Sequence, residues 1–68
     1  MMDPNNIEFE FLKNGELFGR ELRPDSIIEV HGGIENAAKH LLSFYETRGA
    51  IIVQVSYRGK EVVYNLDV

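Results

Sequence analysis

The sequence predicts an α+β domain of ββαββ order, with one helix packed on a four-stranded mixed sheet. Two regions show strict apolar/polar alternation, the period of a half-buried strand. Each region is interrupted by a tight-turn signal, Asn14-Gly15 in the first and Arg58-Gly59 or Gly59-Lys60 in the second. Between them lies one stripe of apolar residues at helical spacing.

Residues 1–6 are polar, contain Pro4 and read as a flexible N-terminal arm, leaving 7–68 as a single domain. The first strand carries Ile7, Phe9 and Phe11 on one side and Glu8 and Glu10 on the other. Asn-Gly suits a two-residue type I′ turn because both positions need positive φ. That turn sets Lys13 against Glu16, Leu12 against Leu17, Phe11 against Phe18, Phe9 against Arg20 and Ile7 against Leu22. One face is then Ile7, Phe9, Phe11, Phe18 and Leu22, with Arg20 as its only polar member. Glu8 faces Glu21 on the other side, a mild like-charge cost. Pro24 ends the pairing because it lacks an N–H.

Residues 25–30 send two signals. Ser26 with Glu29 fits a capping box, while Ile27, Ile28 and Val30 are β-branched and favour an extended segment. The extended reading is preferred, and Gly32-Gly33 breaks whatever precedes it. Residues 34–48 then predict a helix whose stripe is Ile34, Ala37, Ala38, Leu41, Leu42 and Tyr45, with Gly49 as a left-handed C-cap. In the second hairpin Ile51, Val53, Val55, Tyr57, Val62, Tyr64, Leu66 and Val68 share one apolar face.

One helix stripe has to cover two apolar hairpin faces, so both hairpins are expected in one sheet. A right-handed crossover sets the first and last strands side by side and parallel, giving the order 2-1-4-3. This layout resembles the β-grasp arrangement of immunoglobulin-binding domains, in topology alone, and fold does not supply function.

The composition of the 68 residues excludes several classes. Without Cys there is no disulfide, no thiolate metal ligand and no cysteine nucleophile. The longest apolar run, Ala50 to Val53, is far short of the roughly 20 residues of a membrane-spanning helix. The opening residues lack the basic and apolar regions of a secretory signal, so a cytoplasmic protein is expected. A net charge of −4 repels phosphate backbones and anionic membrane surfaces, and serves mainly to keep the chain in solution. Cores of this size seldom leave more than about 3–5 kcal/mol of net stability, and self-association is one remedy. The sheet is therefore open to completion by a homodimer.

Catalytic groupings are sparse. Ser26, Ser43 and Ser56 lack a nucleophile-elbow context. His31, Glu35 and His40 could approach one another around the helix start, but His40 and Glu35 diverge by about 100–140° around it, so two surface histidines are expected. Gly32-Gly33 before a helix lacks the rest of any phosphate-binding fingerprint. The pair is internal, and the terminal Asn65-Leu66-Asp67-Val68 is no Gly-Gly conjugation tail. No enzyme, cofactor or metal is expected.

Leu12, Leu17, Ile52 and Val63 are apolar at positions that alternation assigns to solvent, and Phe44 borders the helix stripe. Arg20 breaks an apolar face; its stem can pack at an edge, or its head can pair with a helix carboxylate or a partner chain. These six are the candidate interaction residues. The expected function is a non-catalytic protein-interaction module, a small regulator or inhibitor that masks a partner's surface. The partner is another protein or a second copy, with pairing through the terminal strand. The alternative is a nucleic-acid binder using Arg58, Lys60, Lys13 and Arg23.

Overall fold

The alternating runs become strands, and the segment between them becomes two helices. The structure, a computed structural model, describes residues 5–68. The order is β1 (Asn6–Lys13), β2 (Glu16–Pro24), α1 (Ile27–His31), α2 (Ile34–Leu42), β3 (Ala50–Tyr57) and β4 (Lys60–Asp67). Of the arm expected over residues 1–6, positions 1–4 lie outside the described residues, and Asn6 already opens β1.

Both hairpins turn on two residues of positive φ: Asn14 (53°) with Gly15 (81°), and Arg58 (50°) with Gly59 (76°). This is type I′ geometry, whose twist matches that of the paired strands. The second turn is thus Arg58-Gly59, with Tyr57 opposite Lys60. Arg58 holds a left-handed conformation that costs a non-glycine residue about 1–2 kcal/mol. Its guanidinium donates to Asp25 Oδ2 at 2.7 Å and lies 5.3 Å from the Tyr57 ring centre, tying this tip to the turn after β2.

The sheet order is β2-β1-β3-β4 and every pairing is antiparallel. The expected 2-1-4-3 order, with the first and last strands parallel as in a β-grasp, is not adopted. Strand composition gives a reason. β3 carries Ile51, Ile52, Val53 and Val55, whereas β4 carries Lys60, Glu61, Asn65 and Asp67. Charged strands are tolerated at edges, and the more apolar arm takes the centre. This order also leaves only β1 between β2 and β3. The helical connection then spans two strand spacings, about 10 Å, instead of three.

The first hairpin departs from its expected register. Lys13 faces Glu16 and Leu12 faces Leu17, but Phe11 then faces Gly19, and the shift persists through Glu10–Arg20, Phe9–Glu21, Glu8–Leu22 and Ile7–Arg23. Phe18 is the extra residue of a β-bulge. One inserted residue exchanges the two faces of everything beyond it. Arg20 therefore leaves the apolar face and joins Glu8 and Glu10 on the outer one, and Leu22 goes with it, 47% exposed. Glu21 moves to the helix side. Glu8 no longer faces Glu21, so the expected like-charge contact is absent.

The connection holds two helices, not one. Residues 27–31 are helical, contrary to the extended reading, because Ile27 and Ile28 pack against the core when the turn closes. Ser26 occupies the N-cap without a side-chain hydrogen bond, so the capping-box signal located the helix without supplying its bond. α2 ends at Leu42 instead of residue 48. Past it, Phe44 N–H donates to Leu41 O and Tyr45 N–H to Leu42 O, a tightened last turn, and Ser43 Oγ donates back to His40 O. Gly49 is not the helix cap. It sits opposite Val68, and the two exchange both backbone hydrogen bonds, at 2.7 and 3.0 Å.

The core lies between the helices and one sheet face. Ile7, Phe9 and Phe11 of β1 and Ile51, Val53 and Val55 of β3 are sealed beneath Ala37, Ala38, Leu41 and Leu42 of α2. The alanines allow close approach of helix to sheet, and the leucines fill the remaining depth. On the edges cover is thinner: Leu66 is buried, Val62 and Tyr64 are half-buried, and Val68 is exposed despite its apolar parity.

Candidate interaction face

Register and parity together assemble the sheet's outer face. Leu17, Leu12 and Ile52 lie side by side across β2, β1 and β3. Val63 of β4, which is 55% exposed, faces Gln54 and stands diagonal to Ile52. The apolar row thus spans three strands and ends on β4 at Asn65, opposite Ile52, with Val63 adjoining it diagonally, a concentration that isolated exposed side chains do not produce. Arg20 occupies the next row. Its guanidinium sits 2.9 Å from Glu10 and 3.7 Å from Glu8, and these carboxylates, the hydrogen bond it donates to Glu10 foremost, raise its pKa above its ordinary value. Glu61 lies across Ser56 from Glu8. The Leu17–Leu12–Ile52 end is mainly apolar, with Asn65 and Asp67 on β4, and the end with Glu8, Glu10 and Glu61 is net acidic around the exposed Leu22.

Five of the six candidates therefore share this face, Arg20 only because of the bulge. The sixth does not join them. Phe44 follows α2 on the opposite side, 65% exposed, with its ring edge-on to His40 at 5.1 Å. His40 in turn stacks on His31 at 4.2 Å, with planes 26° apart. The two surface histidines meet because the Gly32-Gly33 turn folds α1 back against α2. Among the described residues no group of three or more His, Asp or Glu could hold a metal ion. None of the described helices is long and apolar enough to cross a membrane.

Lys13 lies at one end of the sheet, and Arg23, Arg58 and Lys60 lie at the other, since Ile7 pairs with both Arg23 and Tyr57 and Tyr57 pairs with Lys60. Arg23 is engaged by Glu21 at 2.7 Å and Arg58 by Asp25 at the same distance. An open groove of about 500 Å³ lies between the first hairpin tip and residues 45–47. Lys13, Glu16 and Glu46 line it with both signs of charge, beside Phe18 and Tyr45.

A polar cluster that sequence reading missed sits on the helix side of β2. Tyr45 Oη donates to Glu21, which also pairs with Arg23. The Tyr45 ring packs edge-on to Phe11 and Phe18, at 5.3 and 5.7 Å. It passes so close to Gly19 that a Cβ there would stand 2.6 Å from a ring carbon. The hydrogen bond to Glu21, with a smaller contribution from burial, holds the Tyr45 hydroxyl above the usual tyrosine value.

A raised folded-state pKa means that the unfolded chain releases this proton first. The stabilisation is complete below pH about 10, the ordinary tyrosine value, and is lost as pH rises through the raised one. Melting scans from neutral to strongly alkaline pH are expected to show a steeper alkaline fall for the native chain than for Tyr45→Phe, with the difference confined above pH about 10. Parallel curves for the two proteins would contradict the Tyr45–Glu21 link.

No family model, curated protein or solved structure matches the chain.

Proposed function

We propose that the chain is a non-catalytic protein-interaction module, a small regulator or inhibitor that masks a partner protein through the outer face of its sheet. The observation that carries this reading is the unbroken row Leu17, Leu12 and Ile52 with Val63 beside it, at positions where alternation would place polar residues. Apolar side chains gathered on an otherwise solvated face contribute nothing to the domain's own core. Their burial against a partner would release about 25 cal/mol per Å².

Charge narrows the partner's chemistry. Glu8, Glu10 and Glu61 outnumber Arg20 on the flanking rows, and the chain carries −4 overall. The fitting surface is therefore a flat apolar patch with a basic rim. Complementary charge of this kind raises association rates and sets orientation more than it adds affinity.

The test uses immobilised native chain beside a Leu17→Glu/Ile52→Glu variant. Leu17 and Ile52 are exposed, so the variant keeps the fold, which circular dichroism checks. A cell lysate is passed over both at about 50 mM salt, where electrostatic attraction is least screened. A specific partner is retained by the native chain, is at least about tenfold depleted on the variant, the loss of roughly one buried apolar side chain, and has a basic surface. Retention of nothing, or equal retention by both, defeats the proposal.

A further inference from the structure

We infer that β4 is a self-pairing edge, and that two copies of the chain join antiparallel through it with Val63 opposite Val63. The two edges of the sheet are unlike. β2 is interrupted by the bulge at Phe18 and ends in Pro24, devices that blunt an edge. β4 runs from Lys60 to Asp67 in unbroken register with β3. Among the described residues no strand pairs with its outer side, so alternate residues present donors and acceptors there in a regular row.

Which groups point outward follows from the far end of the hairpin. Gly49 and Val68 exchange both backbone hydrogen bonds. In an antiparallel ladder such pairs recur at every second residue. Leu66, Tyr64, Val62 and Lys60 are therefore bonded to β3, and the N–H and C=O groups of Glu61, Val63, Asn65 and Asp67 face away from it.

A second copy can only present the same outward set, so odd-numbered residues must meet odd-numbered ones. Two registers of this kind pair most of the strand. Centred on Tyr64, the register sets Glu61 against Asp67 of the other copy, twice per dimer, which is repulsive. Centred on Val63, it sets Val63 against itself, Glu61 against Asn65, Val62 against Tyr64 and Lys60 against Leu66. No like charges meet. The Val62–Tyr64 pairs bring together side chains that each chain leaves half-buried on the helix side, and β-branched against aromatic is a favourable cross-strand combination. The strand is thus complementary to itself in one register. The outer face remains free for a different protein.

Sedimentation over micromolar to roughly millimolar concentration reads the association directly. The native chain is expected to form dimers, and Val63→Pro to remain monomeric. Its missing N–H is one that points away from β3, so the hairpin itself is kept, as circular dichroism verifies. Ile52→Lys, on the outer face, should dimerise normally. Register is read by Asn65→Lys, which faces Glu61 of the other copy twice per dimer and should tighten association by about 2- to 30-fold. Asn36→Lys on α2 makes the same charge change away from the edge and should shift it far less. A native chain that stays monomeric throughout overturns the inference, as does dimerisation lost through Ile52→Lys but kept in Val63→Pro. Equal tightening by the two lysine variants overturns the Val63-centred register.

Discussion

Phe9→Ala is expected to leave the chain largely unfolded at room temperature. Phe9 is fully buried at the middle of β1, with Glu21 and Val55 as its cross-strand neighbours and α2 above it. Truncating a buried phenylalanine to alanine costs about 3–5 kcal/mol, part from lost transfer energy and part from the cavity left behind. A domain of this length seldom holds more than about 3–5 kcal/mol in total. Far-UV circular dichroism and a urea titration provide the measurement. The contrasting variant is Leu22→Ala. In an unbulged hairpin Leu22 would share the core face with Phe9, and its loss would cost about 2–5 kcal/mol. On the outer face, where the bulge puts it, the change should stay within about 0.5 kcal/mol. A Leu22→Ala loss as large as that of a core leucine would refute the bulge, and a nearly neutral Phe9→Ala would refute the core.

Gly19→Ala is expected to destabilise by about 1–3 kcal/mol, the range for overpacking a filled site. The added methyl would stand 2.6–2.9 Å from the Tyr45 ring and hydroxyl. The ring must then swing out, giving up its edge contacts with Phe11 and Phe18 and its hydrogen bond to Glu21. The sign should reverse when the obstacle is gone. On a Tyr45→Ala background, Gly19→Ala only restricts the backbone of the unfolded strand, and glycine inside a strand is itself unfavourable by roughly 0.5–1 kcal/mol. Denaturation of the four proteins closes a double-mutant cycle. If Gly19→Ala costs the same on both backgrounds, close approach to Tyr45 is not why glycine stands there.

The sequence was informative wherever one residue's environment depends on its immediate neighbours. Alternation in residues 7–11, 51–57 and 62–66 assigned faces correctly because parity is a property of the pleat. Asn14-Gly15 was legible as a turn for the same local reason, and the second turn was legible to within one residue, Arg58-Gly59 or Gly59-Lys60. The stripe from Ile34 to Leu42 was legible too, but its end was not, because Tyr45 leaves the helical path for a partner on β2. Sheet order is a long-range choice between two hairpin arms, and its signal was the uneven charge of β3 and β4. The bulge left traces as well. In the unbulged register Arg20 interrupts an apolar face and Glu8 opposes Glu21; inserting Phe18 removes both flaws at once. For the candidate face, apolar identity and parity picked out Leu12, Leu17, Ile52 and Val63. Arg20 reached them by a shift that parity cannot foresee, and Phe44, at the border of the helix stripe, lies on the other side of the sheet because it follows α2.

The unlike edges of the sheet also bear on how far assembly can proceed. A slab with two adhesive rims stacks without limit and yields ribbons and fibres. Here Phe18 and Pro24 roughen one rim, so a molecule joined through β4 offers no further docking strand at either extremity. In the dimer proposed above, growth would halt at a closed twofold particle. The supernumerary phenylalanine, together with Pro24, would thereby guard such a dimer against polymerisation.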